Sequence, residues 1–187
     1  MEGFESYADA LASARPVPGG GSAATIVGVL AAALVAMVAR ITLANPRYAQ
    51  SADRAREIVE RADTLRAELA ANRLADELAY GSVVDAQQLP KATEAERAAR
   101  TARLQAALAD AAAAPLRTAE LARDVIALAH EAGALGNEHL ASDVDCALEF
   151  ARAALQAAAL NVRANHPFLH DKALVERNEA ALARLLA

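Results

Sequence analysis

From Ala23 to Ala39 the chain carries no charged side chain, whereas polar and apolar positions alternate in helical rhythm over most of the remaining sequence. Ile58, Ala62, Leu65 and Leu69 recur at i, i+4, i+7 and i+11, the spacing of one buried helix face, and Glu57 and Arg61 form an i,i+4 pair on the outside. Proline, glycine and capping residues punctuate the pattern into helices. Residues 3–14 form a short amphipathic helix ended by Pro16 and Pro18. Ser22, a good N-cap, opens the apolar helix, which runs to about Ala44. Asn45-Pro46 supplies an N-cap and first residue for a third helix reaching about Leu89, stopped by Pro90. Thr93 and Glu96 form a capping box for a fourth, extending to about Ala132 with a kink at Pro115. Gly133 and Gly136-Asn137 mark a turn, a fifth helix covers about 140–164, and Pro167 fits the first position of a last helix reaching Leu186. No segment has the two-residue alternation of a strand.

The expected architecture is one all-α domain over residues 1–187, an antiparallel bundle of about five to six helices, two of them long. Two helices near 40 residues would each be on the order of 60 Å long. Helices of that length in a domain this small usually bury their outer surface against another subunit, so a homodimer is expected.

Composition agrees. Apolar residues make up 55% of the 187 residues but aromatics only 3%, so the apolar content is mostly Ala, Leu and Val, which suits close-packed helices. The net charge of −5 and the lack of a basic block or stacking aromatics argue against a nucleic-acid partner. A single cysteine, Cys146, excludes an internal disulfide, fits a reducing cytoplasmic setting, and is expected to be a small buried residue. The Ala23–Ala39 stretch is slightly short for a membrane span of ~20 residues, and its upstream flank is acidic (Glu5, Asp9). Its Ala and Gly content predicts a core helix enclosed on all sides, with no membrane partner.

Candidate chemistry is sparse. Gly19, Gly20 and Gly21 precede Ser22 directly, and three successive glycines lose much backbone entropy on folding. They serve either a tight turn that only packs the helix, or a helix N-terminus whose free N–H groups meet an anion or polar ligand. Asp76 interrupts the apolar run of Leu74, Ala75, Leu78 and Ala79, with Tyr80 four residues on. A carboxylate on such a face has a raised pKa and can act as general acid or base, or else it sits at the bundle rim, solvated or paired. Lys91 is one of only two lysines among nineteen basic residues. It stands ~22 Å of helical rise from Asp76, so from a straight helix the two either touch opposite ends of an elongated ligand or Lys91 serves a site of another subunit. Asp143 and Asp145 suit the first turn of the fifth helix, where Ser142 and Asp145 resemble a capping box. Asn137, Asn161 and Asn165 lie around and along that helix, and Asn161, between Leu160 and Val162, suits a buried hydrogen-bonding role. His166 and His170 have i,i+4 spacing, but Pro167 between them weakens a metal-pair reading.

Taken in order, the Pro16-Val17-Pro18-Gly-Gly-Gly-Ser22 turn with its apolar helix, the Asp76-x-x-Ala79-Tyr80 segment ending in Leu89-Pro90-Lys91, the Gly136-Asn137 and Ser142-Asp143 turn, and the Leu160-Asn161-Val162-Arg163-x-Asn165 run resemble the formiminotransferase-cyclodeaminase family. The likeness is to its cyclodeaminase/methenyltetrahydrofolate cyclohydrolase domain and covers nearly the whole chain. It implies an all-α, dimer-forming enzyme acting on a tetrahydrofolate, with no metal and no permanently bound cofactor. One branch closes 5-formiminotetrahydrofolate to 5,10-methenyltetrahydrofolate with release of ammonia; the other hydrolyses the methenyl bridge. On this resemblance Asp76 is the proton shuttle, Asp143 and Asn161 orient the folate ring or a water, the Gly19–Ser22 turn approaches the ligand, Tyr80, Asn137 and Asn165 bind substrate, and Lys91 takes a carboxylate of the glutamate tail. Members often carry another acid two residues before the position of Asp76; here it is Leu74. A helical dimer that binds folate without turnover, or serves only structure, is the alternative.

Overall fold

A computed structural model describes residues 3–187. Six α-helices follow in order: α1 (Phe4–Leu11), α2 (Gly20–Ala44), α3 (Ala52–Gln88), α4 (Glu94–Gly133), α5 (Ala141–Asn165) and α6 (Lys172–Leu186). The fold class is all-α, as the hydrophobic pattern predicts, and the two long helices are α3 with 37 residues and α4 with 40.

Most helix boundaries follow from local chemistry. The Thr93–Glu96 capping box forms in full, Thr93 Oγ1 accepting from the Glu96 N–H and Glu96 Oε2 from the Thr93 N–H. α3 stops because Leu89 precedes proline and takes extended ψ (148°). Four expectations are corrected. Ser22 does not cap α2: the cap is Gly19, in extended backbone, and Ser22 lies buried within the first turn. Asn45 does cap, accepting from the Arg47 N–H at 3.0 Å, but a 3₁₀ turn over Pro46–Ser51 intervenes before α3 because Tyr48 leaves helical φ/ψ to bury its ring. Ser142 and Asp145 form no capping box, since α5 is preceded by the 3₁₀ turn Glu138–Leu140. Pro167 belongs to another such turn, His166–Phe168, and α6 is capped by Asp171, whose carboxylate accepts from the Leu174 N–H.

α2, α3, α4 and α5 run alternately up and down and form the four-helix body of the domain, each packing on its chain neighbour, with α2 closing the ring against α5. The core is built from small residues. Ala31, Ala32, Ala36 and Ala39 of α2 face Ile58, Ala62 and Leu69 of α3, with Ala122, Val125 and Ala129 of α4 and Ala151, Ala154 and Ala158 of α5 completing it. Alanine faces let helix axes come close, so large side chains are needed only to fill gaps.

α2 is not enclosed on all sides. Val35, Ala36, Val38 and Ala39 are buried, but Leu30 and Ile41 remain 47% and 45% exposed on its outer face. α2 is apolar and long enough in composition to cross a membrane, yet here it packs on three neighbouring helices. Cys146 is exposed on α5 rather than buried.

The unequal helix lengths shape the functional end of the molecule. At ~1.5 Å per residue, α2 and α5 span ~38 Å, whereas α3 and α4 span ~56 and ~60 Å. The α3–α4 hairpin therefore continues past the N-terminus of α2 and the C-terminus of α5. Its extension has a small core of its own, where Val83, Leu108 and Ala112 meet Leu169 just before α6. A step results, with two helix ends abutting two continuing helices.

Tight axis approach predicts sensitivity at Gly28, where an added Cβ would stand 3.2 Å from Leu69 Cδ2 and 3.6 Å from Ala154 Cβ. Gly28→Val is expected to destabilise the fold by about 1–3 kcal/mol in urea unfolding. Gly81→Ala on α3, where an added Cβ meets no atom within 4 Å, should not destabilise the fold.

Candidate active site

The first turn of α2 lies against the middle of α3 with no side chain between them. A Cβ built on Gly21 would fall 2.4 Å from Asp76 Oδ1, so only glycine fits there. A Cβ on Gly20 would come 3.5 Å from Asn161 Oδ1, an ordinary contact. The glycines are therefore needed for close approach and not for left-handed backbone, since Gly136 has the only positive φ among the described residues.

A cavity of about 200 Å³ opens at the step. Pro16, Val17 and Gly19–Gly21 form one side, Asp76 and Tyr80 of α3 the next, Ala111 and Pro115 of α4 the third, and Asn161 and Asn165 of α5 the last. Asp76 is the only charged residue of this lining. Burial pushes its carboxyl above the usual carboxylate range, the adjacent Glu77 charge pushes it the same way, and the Ser22 backbone N–H, donating from the α2 N-terminus, partly opposes both. Tyr80, 44% exposed, stands at the rim.

Pro115 accounts for the far wall. It lies inside α4, which remains one continuous helix from Glu94 to Gly133. Proline has no N–H, which leaves the carbonyl of Ala111, four residues earlier, without its helical partner. Asn165 Nδ2 donates to that carbonyl at 3.1 Å and to the Asn161 carbonyl at 3.0 Å, tying the end of α5 to α4. Asn161 spends its own Nδ2 on the Ala157 carbonyl at 2.8 Å, which leaves Oδ1 on the Gly20 side as an acceptor. Beneath the cavity a polar chain holds three helices together. Thr25 Oγ1 bonds the Gly21 carbonyl and Thr118 Oγ1, while Asn72 Nδ2 donates to Thr118 Oγ1 and the Ala114 carbonyl.

Of the residues singled out by sequence, the structure gathers Gly19, Gly20, Gly21, Asp76, Tyr80, Asn161 and Asn165 around one cavity. It does not gather the other four. The Ser22 side chain is fully buried behind the turn, donating to Glu77 Oε1 at 2.8 Å and paired with the Tyr7 hydroxyl at 2.9 Å. Asn137 lies at the opposite end of the bundle, where it donates to Thr42 Oγ1 and accepts from the Tyr48 hydroxyl. Asp143 is ~27 Å along α5 from Asn161, so within one chain the two cannot orient the same ligand atom. Lys91 is exposed on the loop between α3 and α4, beyond a further ~18 Å of α3 from Asp76. His166 meets Glu179 through Nδ1, and His170 makes no pair with it. Among the described residues no three His, Cys, Asp or Glu side chains converge as a metal site would require.

Sequence reasoning passed over Ala111 and Glu77, and took Pro16 and Val17 only as part of the turn motif. Pro115 carried a signal, a proline within a helical run, but its consequence lies in a residue fifty positions away.

The raised Asp76 pKa has a stability sign. Between its unfolded value and its higher folded value, the native state holds a proton that the unfolded chain has released, so stability falls as pH rises through that window. Asp76→Asn, which can still accept from the Ser22 N–H, is expected to melt at a higher temperature than the parent at neutral pH. The gap should close below about pH 4, where both side chains are uncharged. A lower melting temperature for the variant at neutral pH would contradict the assigned environment.

The chain matches the formiminotransferase-cyclodeaminase family model over residues 3–184. It is 39% identical over 186 residues to the methenyltetrahydrofolate cyclohydrolase of Methylorubrum extorquens, covering all of this chain and 89% of that one. It is 31% identical over 169 residues to the rat formimidoyltransferase-cyclodeaminase, covering 90% of this chain but 31% of that longer protein. Its fold superposes on the crystal structure of formiminotetrahydrofolate cyclodeaminase from Thermotoga maritima with a TM-score of 0.87, at 27% identity, over 98% of this chain and 87% of the other. Matched from Gly3 to Arg184 and built on the same helical fold, the chain belongs to the formiminotransferase-cyclodeaminase family.

Proposed function

We propose that this protein is a tetrahydrofolate one-carbon enzyme that hydrolyses 5,10-methenyltetrahydrofolate to 10-formyltetrahydrofolate, with Asp76 as its proton shuttle. The observation that carries this reading is the lone half-buried carboxylate, raised in pKa, facing a cavity otherwise lined by amides, a phenol, backbone and apolar walls. Similarity to a cyclohydrolase of nearly equal length favours hydrolysis over ring closure.

In this scheme Asp76 accepts a proton as water adds to the bridging carbon. The C–N5 bond then breaks, N5 takes a proton from Asp76, and the second proton of the water leaves to solvent. A carboxyl whose pKa is raised by burial and by the Glu77 charge suits both directions of transfer. At about 200 Å³ the cavity is smaller than the ~300–1,000 Å³ of pockets that enclose a whole ligand. It suits the ring end and one-carbon bridge, with the rest of the folate lying along the open side. Asn161 Oδ1 and the N–H groups of the α2 first turn are the groups available to orient the ring.

A cyclodeaminase reading rests on the likeness to the Thermotoga enzyme. There N10 would lose its proton to Asp76 while attacking the formimino carbon, and the departing nitrogen would take it up as ammonia.

The outer face of α2 supports a homodimer. Ile26, Leu30, Ala33, Met37 and Ile41 follow one another at three- and four-residue steps, none is fully buried, and no charge interrupts them. This is the seam along which two such helices pack.

Adding purified protein to 5,10-methenyltetrahydrofolate should accelerate loss of its near-ultraviolet absorbance, and Asp76→Asn should slow turnover by roughly 10²–10⁴-fold. Gly21→Ala, which forces a methyl group onto the carboxylate, should lose on the order of 10²-fold with substrate affinity little changed. Ammonia release from 5-formiminotetrahydrofolate, without methenyl hydrolysis, would move the protein to the cyclodeaminase branch. Sedimentation should show a dimer that Leu30→Glu converts to monomer; a monomeric parent would remove the α2 seam.

A further inference from the structure

Behind Asp76, on the side away from the cavity, four polar side chains from three helices form one chain of contacts. Ser22 Oγ donates to Glu77 Oε1 at 2.8 Å, and Arg73 donates to the same oxygen at 2.7 Å. A carboxylate only accepts, so the single Ser22 proton points to Glu77. The Tyr7 hydroxyl, 2.9 Å from Ser22 Oγ, is then the donor in that pair. The Arg73 guanidinium also lies over the Tyr7 ring, 5.8 Å from its centroid. No residue of α1 is buried, and among the described residues Tyr7 makes the only hydrogen bond from α1 to another helix.

We infer that Glu77 is a positioning residue for Asp76: by holding the Ser22 hydroxyl it pins the first turn of α2 against the Asp76 carboxylate, and Tyr7 braces that grip from α1. Three facts carry this. Ser22 is fully buried and follows Gly21, the residue whose backbone touches Asp76. Glu77 is the neighbour of Asp76 on α3, so the clamp and the carboxylate share one helical turn. Leu74, two residues before Asp76, is apolar and 52% exposed, and Glu77 is the carboxylate whose charge acts on Asp76. The other groups around the cavity that Asp76 faces are Tyr80 on α3 and uncharged residues from α4 and α5, while Arg73 is engaged with Glu77.

The inference rests on Asp76 being the working carboxylate, so the test reads position and charge without substrate as well as turnover. The variants are Glu77→Leu, Glu77→Gln and Tyr7→Phe, with folding verified by circular dichroism. The readouts are amide exchange at Ser22, the carbon-13 titration of the Asp76 carboxyl (assigned by its loss in Asp76→Asn), and kcat and KM on methenyltetrahydrofolate. Glu77→Leu should speed Ser22 exchange, lower the Asp76 titration by removing the neighbouring charge, and cut kcat about tenfold with KM within about twofold. Glu77→Gln keeps an acceptor oxygen, so exchange and kcat should recover most of the way while the titration stays lowered. Tyr7→Phe should speed Ser22 exchange modestly and leave the titration in place. Parent-like exchange at Ser22 in both Glu77→Leu and Tyr7→Phe would overturn the inference, as would Glu77→Gln proving as loose as Glu77→Leu. Should no variant or parent turn over a folate, the proposed function falls while the exchange and titration data still decide the clamp.

Discussion

The contact between the first turn of α2 and Asp76 is the constraint on which the site depends. A helix begins with N–H groups that its own backbone cannot satisfy, and a half-buried carboxylate needs donors that the surrounding apolar helices cannot supply. Each resolves the other, but only if no Cβ stands between them, which makes Gly21 obligatory. Because α2 starts where α3 is still in mid-course, this contact, together with Gly28 on Leu69 and the alanine-faced core, fixes how far α2 is slid along α3.

The same contact places a cost at the centre of the molecule. Desolvation and Glu77 raise the energy of ionised Asp76 more than the α2 N-terminus lowers it. Nothing in the packing requires an acid here, since the cavity walls are amides, backbone and apolar groups. A carboxyl held above its usual range beside a cavity is the arrangement that the proposed proton transfer uses. The two polar layers around it do different work. The Thr25–Thr118–Asn72 chain lies below and locks α2, α3 and α4. The Ser22–Glu77–Arg73–Tyr7 chain lies behind and adds charge as well as position.

Unequal helix length turns a plain four-helix bundle into one with a cavity. Had α2 and α5 run as far as α3 and α4, the space at the step would be filled by side chains. Pro115 then removes one donor from α4, and the freed carbonyl is taken by Asn165, so the wall of the cavity is sewn to the end of α5. The cavity's four sides thus come from four stretches of chain, three of them stopped or altered by Gly, Pro or Asn.

Sequence by itself determined the all-α class, the number of long helices, and most boundaries, because caps, prolines and the 3.6-residue rhythm act within a few residues of where they are written. It also pointed to Gly19–Gly21, Asp76, Tyr80, Asn161 and Asn165, each conspicuous as a polar or flexible residue in an apolar setting. Ser22, Asn137, Asp143 and Lys91 looked equally conspicuous, yet tertiary packing sends them elsewhere: Ser22 behind the turn, Asn137 to the far end, Asp143 most of a helix away, and Lys91 to the hairpin tip. Likewise Pro167 and Ser142 lost to 3₁₀ turns whose geometry is set by what they pack against. The outward stripe of α2 was hidden for a related reason, since an uncharged helix has the same composition whether three or four of its sides are covered. Which residues share a site depends on how far one helix slides along another. Only the tertiary structure decides that, because it is set by close contacts between residues far apart in the chain, Gly21 on Asp76 and Gly28 on Leu69 among them.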